Sequence, residues 1–258
     1  MCSVRVMTYN AHSCIGTDGV RSEERIAEVI AASGAEVIAL QELDHCRPRS
    51  QCVHQAEVIA AKLGMQVHFH PALRVAEEEY GEAILSSHPL RLVRAGILPG
   101  VPPRWCPETR GALWIEVKVS GVTWQIINTH LGLGRGERLQ QAHALLGPEW
   151  IGSREMRAPW VLCGDFNSPA IGRVRRLLAG RTRDVQRGRH LATFPSRFPL
   201  LALDHFFVSS GVLVKSIQVA RTPLTRLASD HLPLTAELAW ENPLEASPSR
   251  AGWKSNAP

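Results

Sequence analysis

Runs of apolar residues, separated by polar and glycine-containing turns, divide the chain into short elements. Alternating runs predict half-buried strands, and continuous apolar runs predict buried strands. Residues 4–10 and 122–130 alternate, whereas residues 37–42 and 161–163 are continuously apolar or nearly so. Two further strands are expected to begin at Asp204 and just after His231. Helices are expected over residues 22–33, 50–63, 137–151 and 170–179, with Gly34 ending the first as its C′ residue.

The most informative of these strands is followed by two polar residues. The apolar run 161–163 stops at Gly164, and Asp165 and Asn167 follow one residue apart. Because successive side chains of an extended chain point to opposite faces, Asp165 and Asn167 are expected on one face and Phe166 on the other, in the core. Such strand ends are where α/β proteins place their sites. The competing interpretation is that Asp165 caps the helix that follows.

The other predicted strands repeat this arrangement. Polar residues stand where these strands begin or end, namely Asn10, Glu42, Asn128, His130, Asp204, Asp230 and His231. Each one alone has a structural explanation, such as capping a turn or lying on the surface. Together with Asp165 and Asn167 they occupy six strand ends, and this recurrence favours one shared site.

Three of these residues suit a divalent cation. Asn10, Glu42 and Asp230 offer hard oxygen ligands, which fit Mg²⁺ or Mn²⁺ rather than zinc. Such a cation is held mostly by water, by one or two carboxylates and by a substrate phosphate. The sequence has no phosphate-binding glycine-rich loop with Lys and Ser/Thr, no HExxH and no GxSxG. Nucleotide hydrolysis of the P-loop kind is therefore disfavoured.

The remaining residues suit proton transfer. An imidazole titrates near neutral pH, so His130 and His231 are candidates for an acid, a base or a phosphate hydrogen-bond donor. Asp204 is the candidate that orients His231 and stabilises its cation. Asp165 is then left to activate water, and Asn167 to position that water or the phosphate.

The motifs around these residues occur in one order over almost the whole chain. They are MTYN (7–10), LQE (40–42), NTHL (128–131), GDFN (164–167), LDHFFVS (203–209) and SDHLP (229–233). In this set the chain resembles the endonuclease/exonuclease/phosphatase superfamily, which includes DNase I, the AP endonucleases, neutral sphingomyelinases and inositol polyphosphate 5-phosphatases. The resemblance implies a DNase I-like four-layer α/β sandwich, in which two mixed β-sheets pack face to face with helices outside.

The resemblance also implies a metal-dependent phosphodiesterase or phosphomonoesterase that uses the residues above. His130 matches the second histidine of DNase-like and sphingomyelinase-like members. Glu82 falls where DNase-like members carry an acid that pairs with this histidine. Arg110 falls where many members carry a phosphate-binding arginine, a task that suits a bidentate guanidinium.

The sequence departs from some of the named superfamily members, and these differences narrow the expected activity and location of the protein. Leu43 and Asp44 follow the LQE motif, where AP endonucleases typically continue with Thr-Lys, so abasic-site cleavage is disfavoured. The chain enters a strand without a signal-peptide pattern, and its six cysteines show no CxxC pair or zinc spacing. We therefore expect a reduced, cytoplasmic chain, unlike secreted DNase I, and a resemblance mainly to compact bacterial members.

Composition fits one catalytic domain. The 258 residues are 45% apolar, enough for a large core, and no run of 18 apolar residues predicts a transmembrane segment. Residues 1–240 are expected to form the endonuclease/exonuclease/phosphatase catalytic domain. Residues 241–258, rich in Pro, Ser and Ala, are expected to form a disordered tail. The oligomeric state is left open.

Charge gives a further indication of the substrate. A net charge of +5 and a pI near 9.1 favour polyanions, including nucleic acid. Arginines are concentrated within residues 173–189, which form either a surface along a phosphate backbone or a solvated face. The loop at 96–109, with Leu98, Val101 and Trp105, either forms an apolar rim for lipid or packs on the sandwich.

These observations leave several functions open. We expect a metal-dependent phosphoesterase that hydrolyses a phosphodiester by in-line attack of an activated water. The alternatives are a nuclease acting on DNA or RNA and a phosphatase for phospholipid headgroups or inositol phosphates. A non-catalytic binding protein is least favoured, because the set of ionisable groups is intact. The site chemistry is common to all the hydrolases, and specificity lies in the loops.

Overall fold

The computed structural model describes residues 2–169 and 172–241, which contain two six-stranded mixed sheets. The first sheet has the order β11-β12-β1-β2-β4-β3. Its strands are β1 (Cys2–Asn10), β2 (Val37–His45), β3 (Gln66–Val75), β4 (Glu78–Ser86), β11 (Val212–Val219) and β12 (Leu234–Trp240). Strands β1 and β2 are parallel, and the other neighbouring strands are antiparallel.

The second sheet repeats this pattern of directions. Its order is β5-β6-β7-β8-β10-β9, and β7 and β8 form its parallel pair. The strands are β5 (Leu90–Ile97), β6 (Gly111–Val119), β7 (Val122–His130), β8 (Trp160–Asp165), β9 (Arg183–Asp184) and β10 (Asp204–Val208). Each sheet therefore has one parallel pair near its centre, and the carboxyl ends of such a pair lie at one edge.

Helices cover the outer face of each sheet. Helices α1 (Glu23–Ser33), α2 (Gln55–Leu63) and α5 (Pro223–Ala228) pack on the first sheet, and α3 (Arg135–Leu145) and α4 (Arg173–Ala179) pack on the second. A third apolar cluster, which includes Val6, Ile126 and Phe206, fills the space between the two sheets. These four layers confirm the predicted DNase I-like α/β sandwich. Among the described residues, no helix is both long enough and apolar enough to cross a membrane.

Each of the four predicted helices has a counterpart in the structure, although not with every predicted boundary, and α5 (Pro223–Ala228) was not predicted. Helix α1 begins after Ser22, whose hydroxyl accepts the Arg25 amide at 3.2 Å, and ends at Gly34 with a φ of +63°. The helix predicted from residue 50 starts at Gln55, because residues 48–50 form a separate 3₁₀ turn.

The other two predicted helices also differ from the structure. The helix predicted over 137–151 spans Arg135–Leu145, and turns at Gly147 follow it. The helix predicted over 170–179 spans Arg173–Ala179, because Gly172 is its N-cap with an extended backbone, and residues 170–171 lie outside the described part. The predicted tail, apart from residue 241, also lies outside it. All six cysteines are free thiols.

Candidate active site

The two parallel strand pairs end at the same end of the space between the sheets. Strands β1 and β2 deliver Asn10 and Glu42 there, and β7 and β8 deliver His130 and Asp165. His130 and Asp165 are direct register partners. Contacts among these four side chains bring the strand ends together.

Alternation along β8 places Asp165 on the inner face. Val161 and Cys163 contribute to the core between the sheets, and Phe166 packs in the outer layer against the helices. Asp165 continues the inner row and is buried. Asn167 leaves the strand with a φ of +46°, but its side chain returns to the same site, because its Nδ2 lies 3.0 Å from His130 Nε2.

A β-bulge turns Glu42 into the site. Leu40 and Leu43 both pack in the outer layer, although strict alternation would place them on opposite faces. The register with β4 shifts between these two residues, and Glu42 has a φ of +60°. The extra residue in β2 releases Glu42 from the outer face and directs its carboxylate to Asn10.

Gly164 permits the close approach of β7 and β8 beside Asp165. Its φ is +148°, and a Cβ at this position would lie 1.9 Å from the carbonyl oxygen of Thr129. A side chain at this position requires the backbone to shift. Glycine is therefore needed to hold Asp165 next to His130.

The Asp165 carboxylate is the centre of the polar network. Its Oδ2 accepts the Asn10 amide at 3.1 Å, and its Oδ1 accepts the backbone N–H of Asn167 at 2.8 Å. The Nε2 atoms of His130 and His231 each lie 3.6 Å from Oδ2. Burial raises the pKa of Asp165 to about 7, despite the opposing effect of His231.

Asp204 and His231 form a buried pair beside Asp165. His231 Nδ1 lies 3.0 Å from Asp204 Oδ2, and Asp204 is fully buried. Burial by itself lowers the pKa of His231, but the carboxylates of Asp204 and Asp165 outweigh it and raise the pKa to about 10. His231 is therefore an imidazolium at neutral pH, with its Nε2–H directed at Asp165.

His130 has the opposite electrostatic environment. Burial lowers the pKa of His130 well below the usual value, and the positive charges of Arg110 and His231 lower it further. Arg110 NH1 lies 3.1 Å from its Nδ1, and Arg110 NH2 pairs with Glu108 at 3.0 Å. The two histidines of the site thus differ in charge at neutral pH.

Glu82 does not make the contact expected from the resemblance. The expected partner was His130, but Arg110 occupies Nδ1 of that ring. Glu82 is buried on β4, one of its carboxylate oxygens has no hydrogen-bond partner, and burial raises its pKa to about 8. The positive charge of Arg110 favours the ionised form of Glu82, so Glu82 interacts with the arginine rather than with the histidine.

Asp230 lies on the cavity wall, where its contacts are with His12 and Ser229. Its carboxylate is 3.8 Å from His12 Nδ1 and within 3.4 Å of the Ser229 hydroxyl. The Ser229 hydroxyl donates to the carbonyl of Asn10 at 2.8 Å, which ties this segment to β1. Asp230 and Glu42 line the same cavity, whereas the direct contact is between Asn10 and Glu42 at 2.9 Å.

The candidate residues surround a cavity of about 480 Å³. Seven of the ten line it, namely Glu42, Arg110, His130, Asp165, Asn167, Asp230 and His231. Asn10, Glu82 and Asp204 are buried and reach the cavity only through these neighbours. The site is a pocket whose rear wall is a buried polar network.

Arg49 and Tyr80 are among the cavity-wall residues that sequence reasoning missed. Arg49 donates to both oxygens of the buried Asp44 at 2.8 Å and lies 5.5 Å from the Tyr80 ring centroid. Burial raises the pKa of the Tyr80 phenol, and the nearby carboxylate of Glu42 raises it further. Asp44, noted in the sequence only as a departure, thus anchors a cation. Arg49 follows no predicted strand, so no periodic signal marked it.

The arginine-rich segment lies apart from the cavity. Arg175 is buried and paired with Asp184, and Arg183 donates to the carbonyl of Val212. Within the described residues, no arginine of 173–189 lines the cavity.

The sequence matches the Endonuclease/Exonuclease/phosphatase family over residues 7–231, so the chain belongs to this family. Members of the family are hydrolases. A relative in Escherichia coli strain K12, described as "Uncharacterized protein YbhP", is 30% identical over 172 residues, which cover 63% of this chain. The alignment spans 64% of that relative, slightly less than two thirds of its length.

Solved structures show the same fold. An endonuclease/exonuclease/phosphatase from Beutenbergia cavernae DSM 12333 superposes with a TM-score of 0.75 at 21% identity, over 93% of this chain and 72% of that one. The mannosyl-6-phosphatase Bt3783 of Bacteroides thetaiotaomicron VPI-5482 gives a TM-score of 0.73 at 20% identity, over 92% of this chain and 100% of that one. At such identities the likeness concerns the fold alone.

Proposed function

We propose that this hydrolase is a metal-dependent phosphoesterase that hydrolyses a phosphodiester by in-line attack of an activated water. One observation supports the proposal: the Asp165 carboxylate lies between the neutral imidazole of His130 and the imidazolium of His231. The Nε2 atom of each ring is 3.6 Å from Oδ2. A base, a cation and a neutral donor at one point are what attack on a phosphate requires.

The donor set fits a magnesium or manganese ion. Glu42 Oε1 and Asp165 Oδ2 both accept hydrogen bonds from Asn10 Nδ2, at 2.9 and 3.1 Å, so two carboxylate oxygens converge beside this amide. Glu42 would hold Mg²⁺ or Mn²⁺ through its carboxylate, and Asn10 through its amide oxygen, which accepts the His12 N–H at 3.0 Å. Asp230 would be a further carboxylate on the cavity wall. When bound, the cation polarises the phosphate and neutralises charge that develops on it.

A second group of possible metal ligands lies deeper in the site, and we assign it to proton transfer instead. Asp165, Asp204 and His231 place ligating atoms within 4.8 Å of one another. Asp204 already binds Nδ1 of His231 and is fully buried, so it orients the ring. Asp165 accepts the proton of the attacking water, and the Nε2–H of His231 donates to a phosphate oxygen.

Two further donors converge where the phosphate would lie. Arginine has donors only, so the Arg110 contact requires Nδ1 of His130 to accept, and the proton of this ring is on Nε2. Nε2 and Asn167 Nδ2, 3.0 Å apart, are then both donors that face each other. A phosphate oxygen accepting from both would relieve this conflict, and the charge of Arg110 would stabilise it.

Hydrolysis of bis(p-nitrophenyl) phosphate with Mg²⁺ or Mn²⁺ tests the proposal. We expect turnover that EDTA removes and that Asp165→Asn lowers by at least about 10²-fold. Asp18→Asn, which changes an exposed aspartate, is the matched control and should keep full activity. Turnover that survives EDTA would refute the metal requirement, and equal activity of Asp165→Asn would remove this carboxylate from the chemistry.

p-Nitrophenyl phosphate in the same assay separates the phosphodiester from a phosphomonoester. The fold shared with the Bacteroides mannosyl-6-phosphatase makes this comparison necessary. A kcat/KM for the monoester above that for the diester would change the proposed substrate to a phosphomonoester and leave the roles of the residues as they are.

A further inference from the structure

Exposed apolar side chains are concentrated on two segments of the protein. Among the described residues, the four most exposed large apolar side chains are those of Val101, Trp105, Phe198 and Leu200, which are 84%, 73%, 76% and 70% exposed. Val101 and Trp105 lie on the segment 98–107, which we name the first loop. Phe198 and Leu200 lie on the segment 194–202, which we name the second loop.

Both loops stand beside the active-site cavity. Cys106 of the first loop and Phe194 of the second loop line it. The second loop is closed at its base, where the amides of Leu200 and Leu201 donate to the carbonyl of Phe194 at 2.9 and 2.8 Å. Each loop therefore contributes a residue to the cavity wall, Cys106 directly after Trp105 and Phe194 four residues before Phe198.

Positive charge accompanies the apolar tips. Arg104 directly precedes Trp105, Arg197 directly precedes Phe198, and both arginines are exposed. Residues 98–107 and 185–203 contain no aspartate or glutamate. The chain as a whole carries a net charge of +5. An apolar tip with a cation beside it, repeated on two loops, is complementary to a negatively charged apolar interface.

We propose that these two loops dock the protein on an anionic phospholipid bilayer and present the cavity to a lipid headgroup phosphate. Trp105 and Phe198 would insert at the level of the headgroups, where aromatic rings are favoured, and Val101 and Leu200 would reach the acyl chains. Arg104 and Arg197 would contact anionic headgroups. The choice of substrate rests on the phosphoesterase proposed above, whereas the docking itself does not.

A bilayer accounts for these loops better than nucleic acid or a second copy of the chain does. Single-stranded nucleic acid stacks on aromatic rings, but Val101 and Leu200 have no ring on which a base can stack. Docking of one loop onto the same loop of another copy would bring like arginines together. A bilayer takes up both the aliphatic and the aromatic side chains and attracts the arginines.

Co-sedimentation with phosphatidylcholine vesicles, with and without phosphatidylglycerol, tests the docking. We expect binding that requires phosphatidylglycerol, weakens with added salt, and falls at least about tenfold in a Trp105→Ala, Phe198→Ala double variant. A Leu92→Ala, Leu213→Ala variant, which removes exposed apolar residues from β5 and β11, is the matched control and should bind like the wild type.

Hydrolysis of bis(p-nitrophenyl) phosphate by the same variants separates the two proposals. The double variant should keep soluble hydrolysis, since neither residue lines the cavity. Vesicle binding without soluble hydrolysis would leave the docking intact and refute the phosphoesterase. Equal vesicle binding by wild type and double variant would overturn the docking. So would a preference of these loops for a single-stranded oligonucleotide, or a dimer that the double variant abolishes.

Discussion

The Arg110 guanidinium lies 3.1 Å from Nδ1 of His130, and this contact determines which nitrogen of the ring carries the proton. Burial and the nearby positive charges lower the pKa of His130, so the ring is neutral. Since Arg110 can only donate, the proton lies on Nε2, which faces Asp165 across 3.6 Å. The arginine thus makes His130 a hydrogen-bond donor toward the cavity.

Arg110→Ala should therefore change both catalysis and the titration of His130. We expect a loss of about 2 to 5 kcal/mol in transition-state stabilisation, because a buried phosphate charge loses its partner. The pKa of His130 should rise, since a neighbouring positive charge is removed. Steady-state kinetics and NMR titration of the imidazole measure the two effects. Unchanged values of both would show that the contact has no part in the site.

Glu42→Gln should weaken the binding of Mg²⁺ or Mn²⁺ and abolish turnover that depends on the metal. Its carboxylate is the one that the bulge in β2 directs to Asn10, and an amide is a weaker ligand for a hard cation. Calorimetric titration of the metal measures the loss. Glu57→Gln, on the exposed face of α2, is the control and should bind the metal as the wild type does. Equal affinities would remove Glu42 from the metal site.

His231→Ala should lower kcat by at least about 10²-fold, the usual size of a proton-transfer or charge-stabilising contribution. Asp204→Asn should have a related effect, because an amide at this position does not hold the imidazolium. The double variant should lose little more than either single variant, because the two residues act as a unit. Single-turnover rates decide this, and fully multiplicative losses would contradict the pairing.

Glu82→Gln should make the protein more stable above neutral pH. Burial raises the pKa of Glu82 from the usual 4.5 to about 8, so between these values the folded state holds a proton that the unfolded state has released. Stability should then fall as pH rises across this window, by about 1.4 kcal/mol per pH unit at most, and glutamine removes this fall.

Thermal unfolding of the wild type and Glu82→Gln at about pH 5 and about pH 8 tests this prediction. The difference in Tm between the two proteins should widen from the lower to the higher pH. Glu57→Gln, which changes an exposed glutamate, should show no such widening. A constant difference for Glu82→Gln would mean that Glu82 is ionised in the folded protein throughout.

Alternation and strand-end polarity predicted much of the site because they are local properties. The inner row of β8 is set by which residues are apolar, and it leads from Val161 and Cys163 to Asp165. The same reasoning placed Asn10 and His130 at strand ends, and they are the last residues of β1 and β7. The family resemblance supplied what periodicity does not, namely that the two sheets face each other.

What the sequence did not predict depends on contacts between distant segments. Arg110 is 20 residues from His130 in sequence, and nothing local shows that it displaces Glu82 from this ring. The boundary of the helix predicted from residue 50 was missed because a 3₁₀ turn at 48–50 and the cap at His54 depend on φ and ψ rather than on apolar spacing. The role of Arg49 depends on the burial of Asp44.

The order of strands in the first sheet has a consequence for a chain that is still being synthesised. Strand β12 pairs with β1, so that Trp240 lies opposite Cys2, and His231 stands just before β12. Until this last strand arrives, β1 has an open edge on one side and Asp204 has no imidazole to bind. On the proposed mechanism, a nascent chain that already carries Asn10, Glu42 and Asp165 still lacks His231, so we expect no turnover until the final strand closes the sheet.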